Sequence, residues 1–278
     1  MVFQKDHGVP LVSIGMPVYN SENYIREALE SLLSQTFVDF ELIISDNSST
    51  DKTLQICREY ASRDARIICI AQDKNIGPTA NFNYVLNNSR AKYFMWAASD
   101  DRWHHECLEK FVGVLKANKL YGLVFSSYIV KNLDNGLEVF KKIGKLSYAW
   151  KTINYLCFIC RPHPSMIYGM YRKEVISKIR LDNFDFADVH FVSEVLLRSN
   201  IAIIDEPLYF AGTKGARLPY SLTGKTIERL RFLKEQYRML GIYFSLPFRQ
   251  ILFFVSFLSM AYNKLKSGIA DANSIKFF

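Results

Sequence analysis

The sequence predicts an α/β fold: a mostly parallel sheet flanked by helices, with a helical extension at the C-terminus. Three observations predict it. Four short apolar runs rich in β-formers, LVSIGM (11–16), FELIIS (40–45), RIICIA (66–71) and KYFMWA (92–97), alternate with segments at 21–34, 51–62 and 78–89. Those segments carry apolar residues at helical spacing; Ala28, Leu29, Leu32 and Leu33 share one face of the first. The apolar runs are near-continuous rather than alternating, as in strands buried on both faces. Strand–helix–strand units of this length make right-handed crossovers between parallel strands.

The helix starts are marked by Asn20-Ser21-Glu22, Thr50-Asp51 and Gly77-Pro78-Thr79. After residue 105 the pattern changes. A helix is expected over 105–117, then strands at 121–130 and 137–140 around the turn Asp134-Asn135-Gly136. A helical stretch near 147–160, an apolar strand near 166–171 and an amphipathic helix over 186–199 follow. IAIID and PLYF read as two further short strands. The expected organisation is one domain over 1–223, its halves meeting near 105, and a tail from 224 to 278.

The net charge of +8 is uneven: from Gly224 onward nine Lys/Arg stand against three Asp/Glu. The tail reads as two helices broken near Pro247, the second holding ILFFVSFLSMAY (251–262). That run is shorter than the roughly 20 residues a bilayer span needs. An interfacial or core-docked helix is expected, with an anionic membrane surface as a partner for the tail. The basic residues are interleaved with apolar ones, which argues against nucleic acid. Five cysteines in a chain this large point to reduced thiols and the cytoplasm, and Cys157-x-x-Cys160 lacks a second pair for a zinc site. The N-terminus MVFQKDHGVP shows no apolar signal-peptide core.

In an open parallel sheet, ligands bind beyond the carboxyl ends of the strands. Pro17-Val-Tyr19-Asn20, Ser45-Asp46-Asn47, Asn75-Ile-Gly77 and Ser99-Asp100-Asp101 are therefore expected on one edge. Asp46 is suited to accept a hydrogen bond from the imide N–H of a uracil, although DNSST is also good turn sequence. Asp100 and Asp101 are hard oxygen ligands suited to Mg²⁺ or Mn²⁺, provided a diphosphate completes the coordination. GMPVYN stands after the first strand where a dinucleotide-binding GxGxxG would lie, which disfavours an oxidoreductase.

PVYN, SQTFVDFELIISDNSSTDKT, NIGPTANFN and the strand ending in SDD, in that order, resemble the family 2 inverting glycosyltransferases. The match runs over about residues 10–105 and more loosely to about 212. The resemblance implies the nucleotide-sugar-binding GT-A fold and transfer from a nucleotide diphosphate sugar, expected to be UDP-linked, to an acceptor hydroxyl. It also implies a glycan or lipid-linked glycan acceptor in cell-surface polysaccharide or glycolipid synthesis, at the inner face of the cell membrane. Position by position it assigns Pro17, Tyr19 and Asn20 to the nucleotide loop, Asp46 to the base, and Asn75 and Gly77 to the turn near nucleotide and sugar. The family's metal motif is Asp-x-Asp; here Ala98-Ser99-Asp100-Asp101 stands in its place, so the first acid is missing. Asp100 matches the metal-contacting acid and Asp101 remains as a second ligand. Ser99 lies in the same donor loop.

The catalytic base in this family is an acid at the start of a later helix, and Asp188 is the closest match, with Asp185 nearby. Either acid is also a helix-start residue on structural grounds. His163, in a proline-fixed loop, and His190 are candidates for the sugar or acceptor. Trp103 is either a sugar platform or a core side chain. His104 and His105 are read as an exposed helix start. The alternative to a transferase is a non-catalytic nucleotide-sugar-binding or partner subunit, which the missing acid at Ala98 would favour.

Overall fold

The computed structural model describes residues 8–143, 151–160, 162–183, 186–213, 226–243, 245, 249–250 and 253–254. Asp185 and most of the apolar run 251–262 lie outside the described residues. The strands are β1 (Val12–Val18), β2 (Phe40–Asp46), β3 (Ile67–Ala71), β4 (Tyr93–Trp96), β5 (Arg102–Trp103), β6 (Tyr121–Asn132), β7 (Glu138–Lys141), β8 (Met170–Arg172) and β9 (Asn200–Thr213). The helices are α1 (Ile25–Leu33), α2 (Thr53–Arg63), α3 (Pro78–Asn88), α4 (Cys107–Ala117), α5 (Lys151–Cys160), α6 (Lys173–Ile176), α7 (Ala187–Arg198) and α8 (Thr226–Tyr243).

All described strands join one sheet in the order β3-β2-β1-β4-β8-β6-β9-β5, with β7 added to β6. The first four are parallel, as their crossovers demand. The chain leaves β1 toward β2 on one side and returns to β4 on the other, so a crevice opens beyond the ends of β1 and β4. Short β8 runs antiparallel between β4 and β6 and couples the two halves of the sheet.

Three expectations change. The apolar segment near 166–171 is only half strand: Pro164–Tyr168 forms a 3₁₀ turn before β8, because prolines at 162 and 164 fix the approach. IAIID and PLYF are one strand, β9, in which Asp205 and Glu206 bulge out between the pairs Ser126↔Ile204 and Ser127↔Pro207. Asn20–Glu22 does not open α1, which starts at Ile25; Asn20 instead takes a left-handed φ of 48° and turns its side chain to the next loop.

The core centres on Trp96, the last residue of β4. Its ring makes edge-on contacts with Phe94 (4.8 Å), Phe191 (5.0 Å) and Tyr171 (5.9 Å), and its indole N–H donates to the Phe82 carbonyl at 3.1 Å. This one side chain ties β4 to β8, α3 and α7. It therefore fixes α7 against the strand that leads into the acidic loop. Among the described residues no helix is long and apolar enough to cross a membrane.

Candidate active site

The loops after β1, β2, β3 and β4 converge, and hydrogen bonds join each to the next. Val18, Asp46 and Ala71 end their strands in register. The Asn20 carboxamide oxygen accepts the Thr50 N–H at 2.9 Å, and Asn20 N–H donates to Ser49 Oγ at 3.0 Å. Glu22 and Asp51 clamp the same loops reciprocally: Glu22 N–H donates to Asp51 Oδ2 (3.1 Å) and Lys52 N–H to Glu22 Oε2 (2.9 Å). Asn47 extends the chain of bonds to the third loop through Asn75 Oδ1 (3.1 Å) and the Ile76 N–H (2.9 Å). Ser99 Oγ donates to Ser21 Oγ at 2.7 Å and joins the fourth loop to the first.

Backbone strain gathers at the same place. The non-glycine residues with left-handed φ among those described are Asn20 (48°), Ser48 (61°) and Phe186 (71°), and Gly77 (84°) precedes α3. Such conformations cost of order 1–3 kcal/mol each for non-glycine residues and are kept where the surroundings enforce them.

Asp46 is fully buried. One oxygen accepts the Ser49 N–H at 3.0 Å; the other, Oδ1, has no hydrogen-bond partner among the described residues. A buried carboxylate oxygen without a donor is costly, so an incoming N–H would be stabilised there. Beneath it, Ser45 and Asn81 exchange two bonds (2.6 and 2.9 Å), and Gln72 donates to Ser45 Oγ at 2.9 Å. This fastens α3 to the end of β2. Tyr19 is exposed and Pro17 half-buried on the same edge.

Beside these loops lies a cleft of about 400 Å³. Asp100 and Asp188 both line it, together with Thr79 and Phe82 of α3, Ser165 and Tyr168 of the 3₁₀ turn, and Leu181. Asp46 is not among its lining residues. Asp188 lies in the first turn of α7, one turn before the Phe191 that packs on Trp96. The left-handed Phe186 just ahead of it aims the helix start, and its buried ring rests on Phe232 of α8.

The twin acids both line the cleft but differ in burial. Asp100 is half-buried and lines the cleft. Asp101 is buried at 3% exposure, where Tyr209 O–H donates to Oδ2 at 2.5 Å and Gly212 N–H to Oδ1 at 2.9 Å. Burial and the neighbouring Asp101 charge push the Tyr209 phenol well above its usual range, which keeps it a donor. Asp101 also lines the cleft, and its two oxygens, engaged by Tyr209 and Gly212, anchor the loop to β9. Gly212 completes the anchor, because a Cβ there would fall onto the Asp100 carbonyl oxygen. Tyr209 and Gly212 escape sequence reasoning, since no local pattern links them to acids more than a hundred residues earlier.

Two expectations are corrected. Trp103 is 4% exposed and packs on Tyr209 at 6.0 Å, so β5 spends it in the core and it offers no face to a sugar. His190 is 6% exposed beneath α8, where Gln236 Nε2 lies 3.2 Å from its Nδ1 and Tyr155 O–H donates to Gln236 Oε1 at 3.0 Å. It lies on the face of α7 that turns to the interior. His163 is half-buried, edge-on to Tyr128 at 6.5 Å, next to the cleft-lining Pro164 and Ser165.

The residues fit a single divalent cation shared with a ligand. Asp100 offers one hard carboxylate at the cleft, Ala98 offers none, and Mg²⁺ or Mn²⁺ is often held by one or two carboxylates plus substrate phosphates. His104, His105 and Glu106 also bring ligand atoms within 4.8 Å of one another. They do so at the positive end of α4, with Lys110 at 3.2 Å from the Glu106 carboxylate, which opposes a cation.

Known proteins agree with this architecture. An uncharacterized glycosyltransferase of Haemophilus influenzae is 30% identical over 188 residues, 68% of this chain and 72% of its own. The uncharacterized glycosyltransferase MJ1057 of Methanocaldococcus jannaschii is 33% identical over 177 residues; the match spans 62% of this chain and 59% of that protein's length. Among solved structures, S. aureus TarS 1–349 in complex with UDP-GlcNAc is similar with a TM-score of 0.64 at 21% identity, covering 83% of this chain and 65% of that one. The mannosyltransferase PcManGT from Pyrobaculum calidifontis, in complex with GDP-Man and Mn²⁺, follows at 0.57 and 18%, covering 95% and 75%. The fold is that of the GT-A glycosyltransferases. The model of the family described as "Glycosyl transferase family 2" matches residues 13–180, and the chain belongs to that family.

Proposed function

We propose that the protein transfers one sugar from a nucleotide diphosphate sugar, UDP-linked, to an acceptor hydroxyl with inversion at the anomeric carbon. The observation that carries this reading is a pair of acids, Asp100 and Asp188, facing one cleft beside the interlocked strand-end loops. Asp46, with one oxygen unpartnered among the described residues, is suited to receive the imide N–H of the base. Pro17, Tyr19, Asn20, Asn75, Gly77 and Ser99 shape the donor loops around it.

In the reaction, the Asp188 carboxylate takes the acceptor proton as the acceptor oxygen bonds to the anomeric carbon. The bond from that carbon to the diphosphate breaks, and the diphosphate leaves with its electron pair. General base catalysis of this kind contributes roughly 10²–10⁴ in rate. A divalent cation on Asp100 would neutralise the departing diphosphate. Asp101, held by Tyr209 and Gly212, keeps Asp100 aimed into the cleft. Thr79 and Ser165 line the space for sugar and acceptor, and His163 directly precedes the lining residue Pro164.

The acceptor in this reading is a glycan or lipid-linked glycan, met at the cytoplasmic face of a membrane by the basic tail beyond residue 223. The two-part organisation, 1–223 and 224–278, is part of the same proposal. Turnover of a panel of nucleotide sugars with Mn²⁺, comparing the protein with its Asp188→Asn variant, tests it. Donor release that needs Asp188 supports a transferase; donor binding without any turnover would favour the non-catalytic subunit that Ala98 suggests.

A further inference from the structure

The hairpin of β6 and β7 carries a pattern that sugar transfer does not use. β7 pairs with β6 from Tyr128↔Lys141 to Lys131↔Glu138, and among the described residues no strand pairs along its other edge. All four of its residues are exposed, with Val139 at 43% and Phe140 at 52%; Leu137 just before it is at 64%. An exposed edge bearing apolar side chains is a template for pairing with another strand.

The register says which residues that edge offers. The Asn132 N–H donates to the Leu137 carbonyl at 2.8 Å, which makes 132 and 137 a hydrogen-bonded pair. Hydrogen-bonded and non-bonded pairs alternate along an antiparallel ladder. Val139 and Lys141 therefore turn their backbone groups toward β6, while Glu138 and Phe140 turn theirs outward. Lys142, the residue just after β7, is the next position of the same parity. Side chains alternate between faces, so Glu138, Phe140 and Lys142 share one face.

In a two-fold antiparallel pairing, outward residues must meet outward residues. An axis at Glu138 would oppose two carboxylates. An axis at Val139 would set Glu138 against Phe140, and one at Lys141 would oppose two ammonium groups. An axis at Phe140 sets ring against ring and each Glu138 against a Lys142. Opposite-charge and aromatic cross-strand pairs stabilise a ladder, and like charges directly opposite weaken it. Lys142 lies 2.6 Å from Asp205 Oδ2 within the chain, but that pair is 65% and 60% exposed. Exposed pairs hold their partners weakly, so Lys142 can be shared.

We propose that β7 docks a second copy of this chain, strand to strand and antiparallel about an axis at Phe140, with Glu138 of each copy opposite Lys142 of the other. The interface is isologous and small, so the dimer is weak and depends on concentration. It is independent of the transferase reading. Sedimentation velocity of the full chain over a concentration series tests it.

The protein is expected to form a dimer whose dissociation constant rises about tenfold in Glu138→Lys, an increment of roughly 1.4 kcal/mol. The double variant Glu138→Lys/Lys142→Glu is expected to restore it. Phe140→Pro, which removes an outward N–H while leaving the bonds to β6, is expected to abolish the dimer with the far-UV circular dichroism unchanged. A monomer at every concentration, or a dimer indifferent to both the charge swap and Phe140→Pro, overturns the proposal. So does a monomer that floats with phosphatidylglycerol vesicles in a Phe140-dependent way, which would make the hairpin a lipid contact.

Discussion

The two walls of the cleft are built differently. On the side of residues 10–105, four loops follow four parallel strands and are laced together where those strands end side by side: Asn20 to Thr50, Asn47 to Asn75, Ser99 to Ser21. On the side of residues 106–213, the site depends on distant packing. Asp188 is placed by Phe191 against Trp96, and the acidic loop is pinned from β9 by Tyr209 and Gly212. The first wall is a topological consequence of βαβ units, whereas the second exists only when the mixed half of the sheet closes against it. Damage to the first should weaken ligand binding, and damage to the second should misplace catalytic groups without removing them.

The largest expected effect lies on the second wall. Asp188→Asn should lower kcat by roughly 10²–10⁴ while nucleotide affinity holds. Steady-state kinetics with calorimetric titration of the nucleotide would read this. Normal turnover would remove Asp188 from the chemistry and leave the comparison without its main term. Next, Gly212→Val forces the β9 backbone away from the Asp100 carbonyl. A melting temperature lowered by the equivalent of about 1–3 kcal/mol is expected, with loss of activity. Retained activity would show that the anchor does not aim Asp100.

In the strand-end loops beside the cleft, Asp46→Asn should weaken binding of a uracil nucleotide by the roughly 1.5–3 kcal/mol of a hydrogen bond to a charged group, leaving kcat little changed. Unchanged affinity would move base recognition elsewhere. Tyr209→Phe sharpens the anchor argument. It strips a donor from buried Asp101 and should cost about 1–3 kcal/mol of stability, measurable by denaturant titration.

The smallest effect is in pH. Burial lowers the His190 pKa, against the opposing Glu194, Asp182 and Glu235 charges. Its Nδ1 lies 3.2 Å from the Gln236 amide nitrogen. A base depressed on folding contributes stability fully above its unfolded value, near 6.5, and loses it as pH falls toward the folded value. The melting temperature should therefore drop below about pH 6.5, and His190→Gln should flatten that drop. A pH-independent difference between the two would count against it.

Much was legible because it is local. Apolar runs near 11–16, 40–45, 66–71 and 92–97 place four strands, and the polar residues that follow each must then meet at one edge. The divergence of Asp100 and Asp101 was not legible. Adjacent acids look alike until β9 brings a phenol and an N–H to one of them, across 108 and 111 residues. Trp103 and His190 misled for a related reason: an aromatic or imidazole near a motif carries no mark of which way its element will face.

The sequence alone determined the alternation of strands and helices, the order of the parallel strands' loops and the chemical types gathered beyond them. Periodicity and turn chemistry act over a few residues, and crossover handedness does the rest. Only the tertiary structure decided which acids face the cleft, which of them are held as anchors, and where the start of α7 points. Those outcomes depend on burial and on hydrogen-bond partners that the chain brings together from its far ends.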